Sequence, residues 1–141
     1  MENWQAKARE YFPEFQTEID GNSLGPSGVW IDLYTALTGA YETHPVNDNL
    51  IERIFDYAAW CFEQPETNDI DSDLSSAVAV ALIENIPLSR SVSDDLHRWM
   101  AVETFEGFEN LFRYHLTGDQ FAKFRSDFLE KKKTWRGTPR L

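Results

Sequence analysis

Cysteine, histidine and positive charge are what this chain has least of: one cysteine, three histidines, and 13 Lys/Arg against 24 Asp/Glu in 141 residues. A lone Cys61 excludes an intrachain disulfide and fits a reducing compartment. No run approaches the roughly 20 apolar residues needed to span a bilayer. The N-terminal Met-Glu-Asn-Trp-Gln-Ala-Lys also lacks the apolar stretch of a signal peptide. The expectation is a cytoplasmic protein that does not engage membranes. His44, His97 and His115 are scattered, and none has a second ligand-type residue at i+4 on a shared face. A zinc site needs three or four convergent ligands, so no metal is expected. His-Glu-x-x-His, Gly-x-Ser-x-Gly, a phosphate loop and Gly-x-Gly-x-x-Gly are all missing. The chain therefore reads as a non-enzyme without a cofactor.

Aromatic residues are plentiful: ten Phe, five Tyr and five Trp. A chain of this length buries roughly two thirds of its unfolded surface, so these side chains suffice for a core without disulfides or metals. Residues 1–141 read as a single domain, with 134–141 as an irregular and mobile tail that only Trp135 and Leu141 anchor. The charge is lopsided. Residues 1–112 hold five Lys/Arg against 21 Asp/Glu, a net of −16, whereas residues 113–141 hold eight against three, a net of +5. A field of that sign repels nucleic acid and anionic lipid and attracts basic surfaces. It also aids solubility in its own right.

Apolar positions repeat at helical spacing and strict alternation is absent, which predicts an all-α protein. Trp4, Ala8, Tyr11, Phe12 and Phe15 form a stripe after Asn3, with Pro13 disturbing its end. Residues 20–28 form a loop. A second helix carries Trp30, Leu33, Tyr34, Leu37 and Tyr41 and stops before His44-Pro45. A third runs from Asn47 or Asp48 to about Gln64, with Ile51, Ile54, Phe55, Ala58 and Phe62 on one face. A fourth starts in Asp69–Asp73 and ends at Ile86 before Pro87. Its Ala77–Ile83 stretch is apolar all round, which marks a helix enclosed by others; a buried strand is the competing assignment. A fifth follows Ser91, a sixth follows Thr104, and a seventh opens on the capping box Thr117-Gly118-Asp119-Gln120. Six or seven helices of this kind pack as an irregular bundle or a short two-layer stack of helical hairpins.

Several clusters invite a functional reading. Asp69-x-Asp71-x-Asp73 has the alternation of a calcium loop, but Leu74 stands where the turn glycine belongs and Val80 where the closing glutamate belongs. Helix capping explains the same residues. Lys131-Lys132-Lys133 with Trp135, Arg136 and Arg140 mixes basic and aromatic groups as nucleic-acid patches do; with the rest of the molecule at −16, cations complementing a helix C-terminus are the preferred reading, and no nucleic-acid partner is expected. On the third helix Trp60 falls about 180° from the core direction, flanked by Arg53, Asp56 and Glu63. It is packed in a second layer or exposed as a contact residue. Glu103, Glu106 and Glu109 form a further acidic face. Glu84, just beyond the apolar run, is expected to be buried and hydrogen-bonded, because an unpaired buried carboxylate is strongly unfavourable.

The segment Leu50–Ala58, an acidic loop and Ser76–Ile86 resemble a family of small bacterial helical domains. That family carries a Val-x-Val-x-x-Leu-x-Glu-like helix, here Val78-Ala79-Val80-Ala81-Leu82-Ile83-Glu84. Such acidic single-domain proteins are similar to the immunity proteins that accompany polymorphic bacterial toxins. The resemblance implies a protein partner with a basic surface, a toxin such as a nuclease, blocked sterically and electrostatically. The candidate contact residues are Asp56, Trp60, Glu63, Asp69, Asp71, Asp73, Glu103, Glu106 and Glu109. The alternative is a structural or adaptor protein that forms homodimers through an exposed aromatic face.

Overall fold

Asn3 opens the first helix because its side-chain oxygen accepts the N–H groups of Gln5 and Ala6, at 3.0 and 3.4 Å. In the computed structural model, which describes residues 3–69 and 73–141, helix α1 spans Trp4–Tyr11. Pro13 breaks it into a 3-10 turn, Pro13–Phe15, and the short α2, Gln16–Asp20, follows. Nine α-helices and no strand occur among the described residues, against the six or seven helices expected. No helix among those residues is long and apolar enough to cross a membrane. The chain divides into two compact units, Met1–Leu82 and Ile83–Leu141.

In the first unit, α3 (Pro26–Glu42) starts three residues inside the predicted loop. Gly25 precedes it with φ 67°, a conformation that favours glycine, and Pro26 occupies the first turn, where a missing N–H costs nothing. Helix α4 (Asp48–Glu63) is capped by Asn47, whose side chain accepts the Leu50 N–H. Helix α5 (Leu74–Ala81) packs on α3 and α4. The expectation that its apolar run is enclosed on all sides is corrected: Ala77, Val78 and Ala81 are buried, but Val80 is 59% exposed.

Helix α4 has two packing faces rather than one. Ile51, Ile54, Phe55 and Ala58 form the predicted core stripe and are all buried. Arg53, Tyr57 and Trp60, at i, i+4 and i+7, form a second stripe. Tyr57 is buried, stacks on Trp30 at 5.5 Å and Trp60 at 5.8 Å, and meets Phe12 edge-on at 5.5 Å. Arg53 binds Glu14 through both carboxylate oxygens at 2.7 and 2.8 Å, and donates to the Tyr11 carbonyl at 2.8 Å and the Asn49 side chain at 2.8 Å.

The second unit begins with a 3-10 segment, Ile83–Leu88. Pro87 lacks an N–H and disfavours α geometry in the residue before it, so the fourth predicted helix ends five residues early. The expectation for Glu84 also fails. It is half-buried, with no hydrogen bond to its carboxylate among the described residues. Helix α6 (Arg90–Asp95) is capped by Ser89, two residues before the predicted cap. The predicted sixth helix is divided at Phe108 into α7 (Val102–Gly107) and α8 (Glu109–Phe112). Helix α9 (Gly118–Thr134) opens on the predicted capping box, with both reciprocal hydrogen bonds formed. Phe105 is the hub of this unit: its ring lies 4.1 Å from Phe128, 4.9 Å from Phe112 and 5.3 Å from Phe124.

The tail after Thr134 is irregular but docked, which corrects the expectation of mobility. The Arg140 and Leu141 N–H groups both donate to the Trp99 carbonyl, at 2.8 and 2.9 Å, and the Ala101 N–H donates to the Leu141 carbonyl at 2.8 Å. Lys132 donates to the His97 carbonyl at 3.0 Å while its ammonium sits 4.6 Å from the Trp135 ring. Lys131 reaches the Asp94 carbonyl, and Lys133 pairs with Glu130. The lysine run is thus tied down within its own unit.

Deleting residues 139–141 removes three backbone hydrogen bonds, each worth about 0.5–1.5 kcal/mol net. The expected result is a melting temperature lower by several degrees in a thermal scan; an unchanged midpoint would show that the docked tail adds nothing. A second outcome concerns acid. Arg53 holds the Glu14 carboxyl below its ordinary value of 4.5. The stability from this pair is therefore present above about pH 4.5 and is lost as pH falls through the lowered folded value. Denaturant titrations of Glu14→Gln should show a shallower loss below pH 5 than the parent chain, and Arg53→Lys should not restore the two-oxygen contact.

Candidate functional site

The residues singled out from the sequence fall in both units. On α4, Asp56 and Trp60 are half-buried and Glu63 is exposed. Asp69 is exposed in the loop that follows, whereas Asp71 lies outside the described residues. Trp60 has one neighbour in Tyr57 and another in Lys7, whose ammonium lies 5.9 Å from the Trp60 ring. Its geometry is that of a side chain packed in a second layer. Asp73 requires a correction. It is only 8% exposed and caps α5 by accepting from the Ser76 N–H and hydroxyl, so it is not a surface contact.

In the second unit Glu103 is exposed, while Glu106 and Glu109 are half-buried. Arg125 pairs with Glu106 at 2.8 Å and Arg113 pairs with Glu109 at 3.2 Å. The cations of α9 and its approach thus neutralise much of the acidic face read from the sequence. Among the described residues no group of three or more His, Cys, Asp or Glu side chains is placed to hold a metal ion.

Sequence reasoning missed a largely apolar pocket of about 280 Å³ between α2 and α3. Ile19, Val29 and Leu33 are buried and form its floor; Phe15 and Ala36 are half-buried at its sides. Glu18 and Asp32 line it while remaining exposed, which places their carboxylates at the mouth. Asn22 holds one of these. Its amide donates to Asp32 Oδ2 at 3.4 Å, and its carbonyl oxygen accepts the Leu24 N–H at 2.9 Å. The Asn22 side chain lies where a Cβ on residue 28 would stand, so any other residue at Gly28 would push the Asn22 amide aside. No local sequence signal marks α2 as a helix, which is why the pocket was not foreseen.

Cys61 lies in the buried aromatic layer of the first unit. Burial pushes its thiol up to about 12, against the opposing influence of Trp30 and Tyr57 beside it. The Trp30 indole N–H is itself buried without a hydrogen bond of normal geometry; the thiol is its polar neighbour. Such a thiol is inert as a nucleophile. Iodoacetamide at pH 8 should leave the folded chain unmodified and label Cys61 once denaturant is added; rapid native labelling would contradict this burial. Comparison with protein-family models, curated proteins and solved structures yields no match for the chain.

Proposed function

We propose that this chain is an acidic binding protein of the immunity type, which neutralises a basic bacterial toxin by steric and electrostatic blockade and performs no catalysis of its own. The observation that carries this reading is how charge divides between the two units. Residues 1–82 hold three Lys/Arg against 15 Asp/Glu, a net of −12, and residues 83–141 hold ten against nine, a net of +1. The three cations of the first unit are each ion-paired, Lys7 with Glu10, Arg9 with Asp20 and Arg53 with Glu14. The field that would steer a basic partner therefore originates in the first unit.

This assignment moves the weight of the contact surface to Glu63, Asp69 and their neighbour Glu66, all exposed, and away from Glu106 and Glu109. The self-association alternative needs an exposed aromatic face. Of the large hydrophobic side chains that stand exposed among the described residues, only Tyr114 is aromatic.

The test is whether a gene beside the chain's own encodes a basic toxin domain, and whether that domain, once expressed, associates with the chain. The rate should fall about tenfold or more between low and physiological salt. Charge reversal of Glu63, Glu66 and Asp69 to lysine should slow association more than the same reversal at Glu103, Glu106 and Glu109. The reading would be lost if no saturable binding occurred at low salt.

A further inference from the structure

The pocket between α2 and α3 has a chemistry that selects its occupant. Its floor is apolar, and the only charged groups that line it are the Glu18 and Asp32 carboxylates. The Thr35 hydroxyl at the edge donates back to the Ile31 carbonyl at 3.2 Å, so its hydrogen is directed into the helix. An anionic ligand would find two negative charges at the entrance and no cationic side chain in the lining. At about 280 Å³ the pocket is smaller than sites that enclose small molecules, which run to about 300–1,000 Å³. It matches one large apolar side chain. The mouth also lies in the unit that carries a net charge of −12.

We propose that this pocket is the anchor socket for a basic protein partner, receiving one leucine- or phenylalanine-sized side chain whose flanking Lys or Arg residues meet Glu18 and Asp32. The proposal rests on the binding function above and names the point at which the partner is held. Long-range charge brings a partner in but gives little dwell time; a desolvated apolar anchor in a preformed pocket supplies that. Asn22 prepares the entrance by fixing Asp32 before binding. A second copy of this chain is a poor occupant. Its Lys131, Lys132 and Lys133 are engaged with Asp94, His97 and Glu130, and its overall charge is −11.

The test uses the full chain and three blocked synthetic peptides: Lys-Lys-Phe-Lys-Lys, Lys-Lys-Ala-Lys-Lys and Glu-Glu-Phe-Glu-Glu. Affinities are read from amide shifts in two-dimensional NMR spectra. The phenylalanine peptide with lysine flanks should bind about fivefold or more tightly than its alanine counterpart, the scale expected of a single anchor. Its shifts should centre on Val29, Leu33 and Ala36. Ala36→Phe, which fills the socket, should erase that difference and leave the weaker charge-driven binding of both lysine peptides.

Equal binding of the Phe and Ala peptides would overturn the socket and leave the acidic-surface reading standing. Failure of every lysine peptide to bind would overturn both. Binding of the glutamate-flanked peptide as tightly as the lysine-flanked one would overturn the role given to the two rim carboxylates. Should Ala36→Phe not fold, Glu18→Gln/Asp32→Asn decides. It should weaken the lysine-flanked Phe peptide more than Glu42→Gln/Asp48→Asn does, at exposed first-unit carboxylates away from the pocket and from the Glu63–Asp69 surface, and equal weakening would overturn the proposal.

Discussion

Tyr57 is the side chain through which α1, α3 and α4 meet, and the N-terminal unit is organised around its ring. Trp30 of α3 and Trp60 of α4 lie nearly parallel to it, at 14° and 12°, while Phe12 stands at 89°. Stacked and edge-on contacts of this kind are each worth about 0.5–1.5 kcal/mol beyond the area they bury. They also fix the rotation of each helix about its axis, which dispersion between aliphatic groups does less well. Burial pushes the Tyr57 hydroxyl far above its ordinary value, so it remains a neutral phenol next to the Cys61 thiol. Arg53, one turn earlier on the same stripe, ties the end of α1 to α4. The layer is thus aromatic in the middle and ionic at its margin.

The second unit reaches a similar result by different means. Phe112, Phe121, Phe124 and Phe128 surround Phe105, and the polar work falls to lysines. Lys132 shows how a cation is accommodated there: its ammonium sits 5.9 Å from the Phe128 ring and 4.6 Å from the Trp135 ring and donates to a backbone carbonyl. Burial lowers its affinity for a proton, with Glu103 opposing. Burial likewise lowers the proton affinity of His97, with Asp95 opposing; its ring is edge-on to Trp135 at 6.3 Å. The basic segment is therefore a structural clasp for α9 and the final residues.

Much of this was legible from local chemistry. Asn3, Asn47 and the Thr117–Gln120 box cap the helices they were expected to cap, because a cap is decided within four residues. The primary stripe of α4 was equally readable from periodicity. What escaped reading depends on distant partners. The second stripe of α4 looks polar because Arg53 heads it, and its inward packing depends on Glu14, 39 residues earlier, and on Phe12 and Trp30 against Tyr57. Asp73 reads as surface by composition and is buried by its own capping. The tail carries few apolar groups, yet its backbone finds Trp99 and Ala101. The pocket depends on α2, a helix of five residues with no propensity signal long enough to detect.

Gly28 has a consequence for recognising related chains. The Asn22 amide occupies the space where any other residue at position 28 would place its Cβ, and it donates to Asp32. Three positions are therefore bound into a single spatial unit: an amide, a gap six residues on, and a carboxylate one helical turn after the gap. A distant homologue could differ at nearly every apolar position, since helical cores accept exchange among aliphatic residues. If it retains this latch, it should show Asn, Gly and Asp at separations of six and four residues, the Asn in the loop that leads into the helix and the Gly in the helix's first turn. That spacing, rather than overall similarity, is the mark to look for.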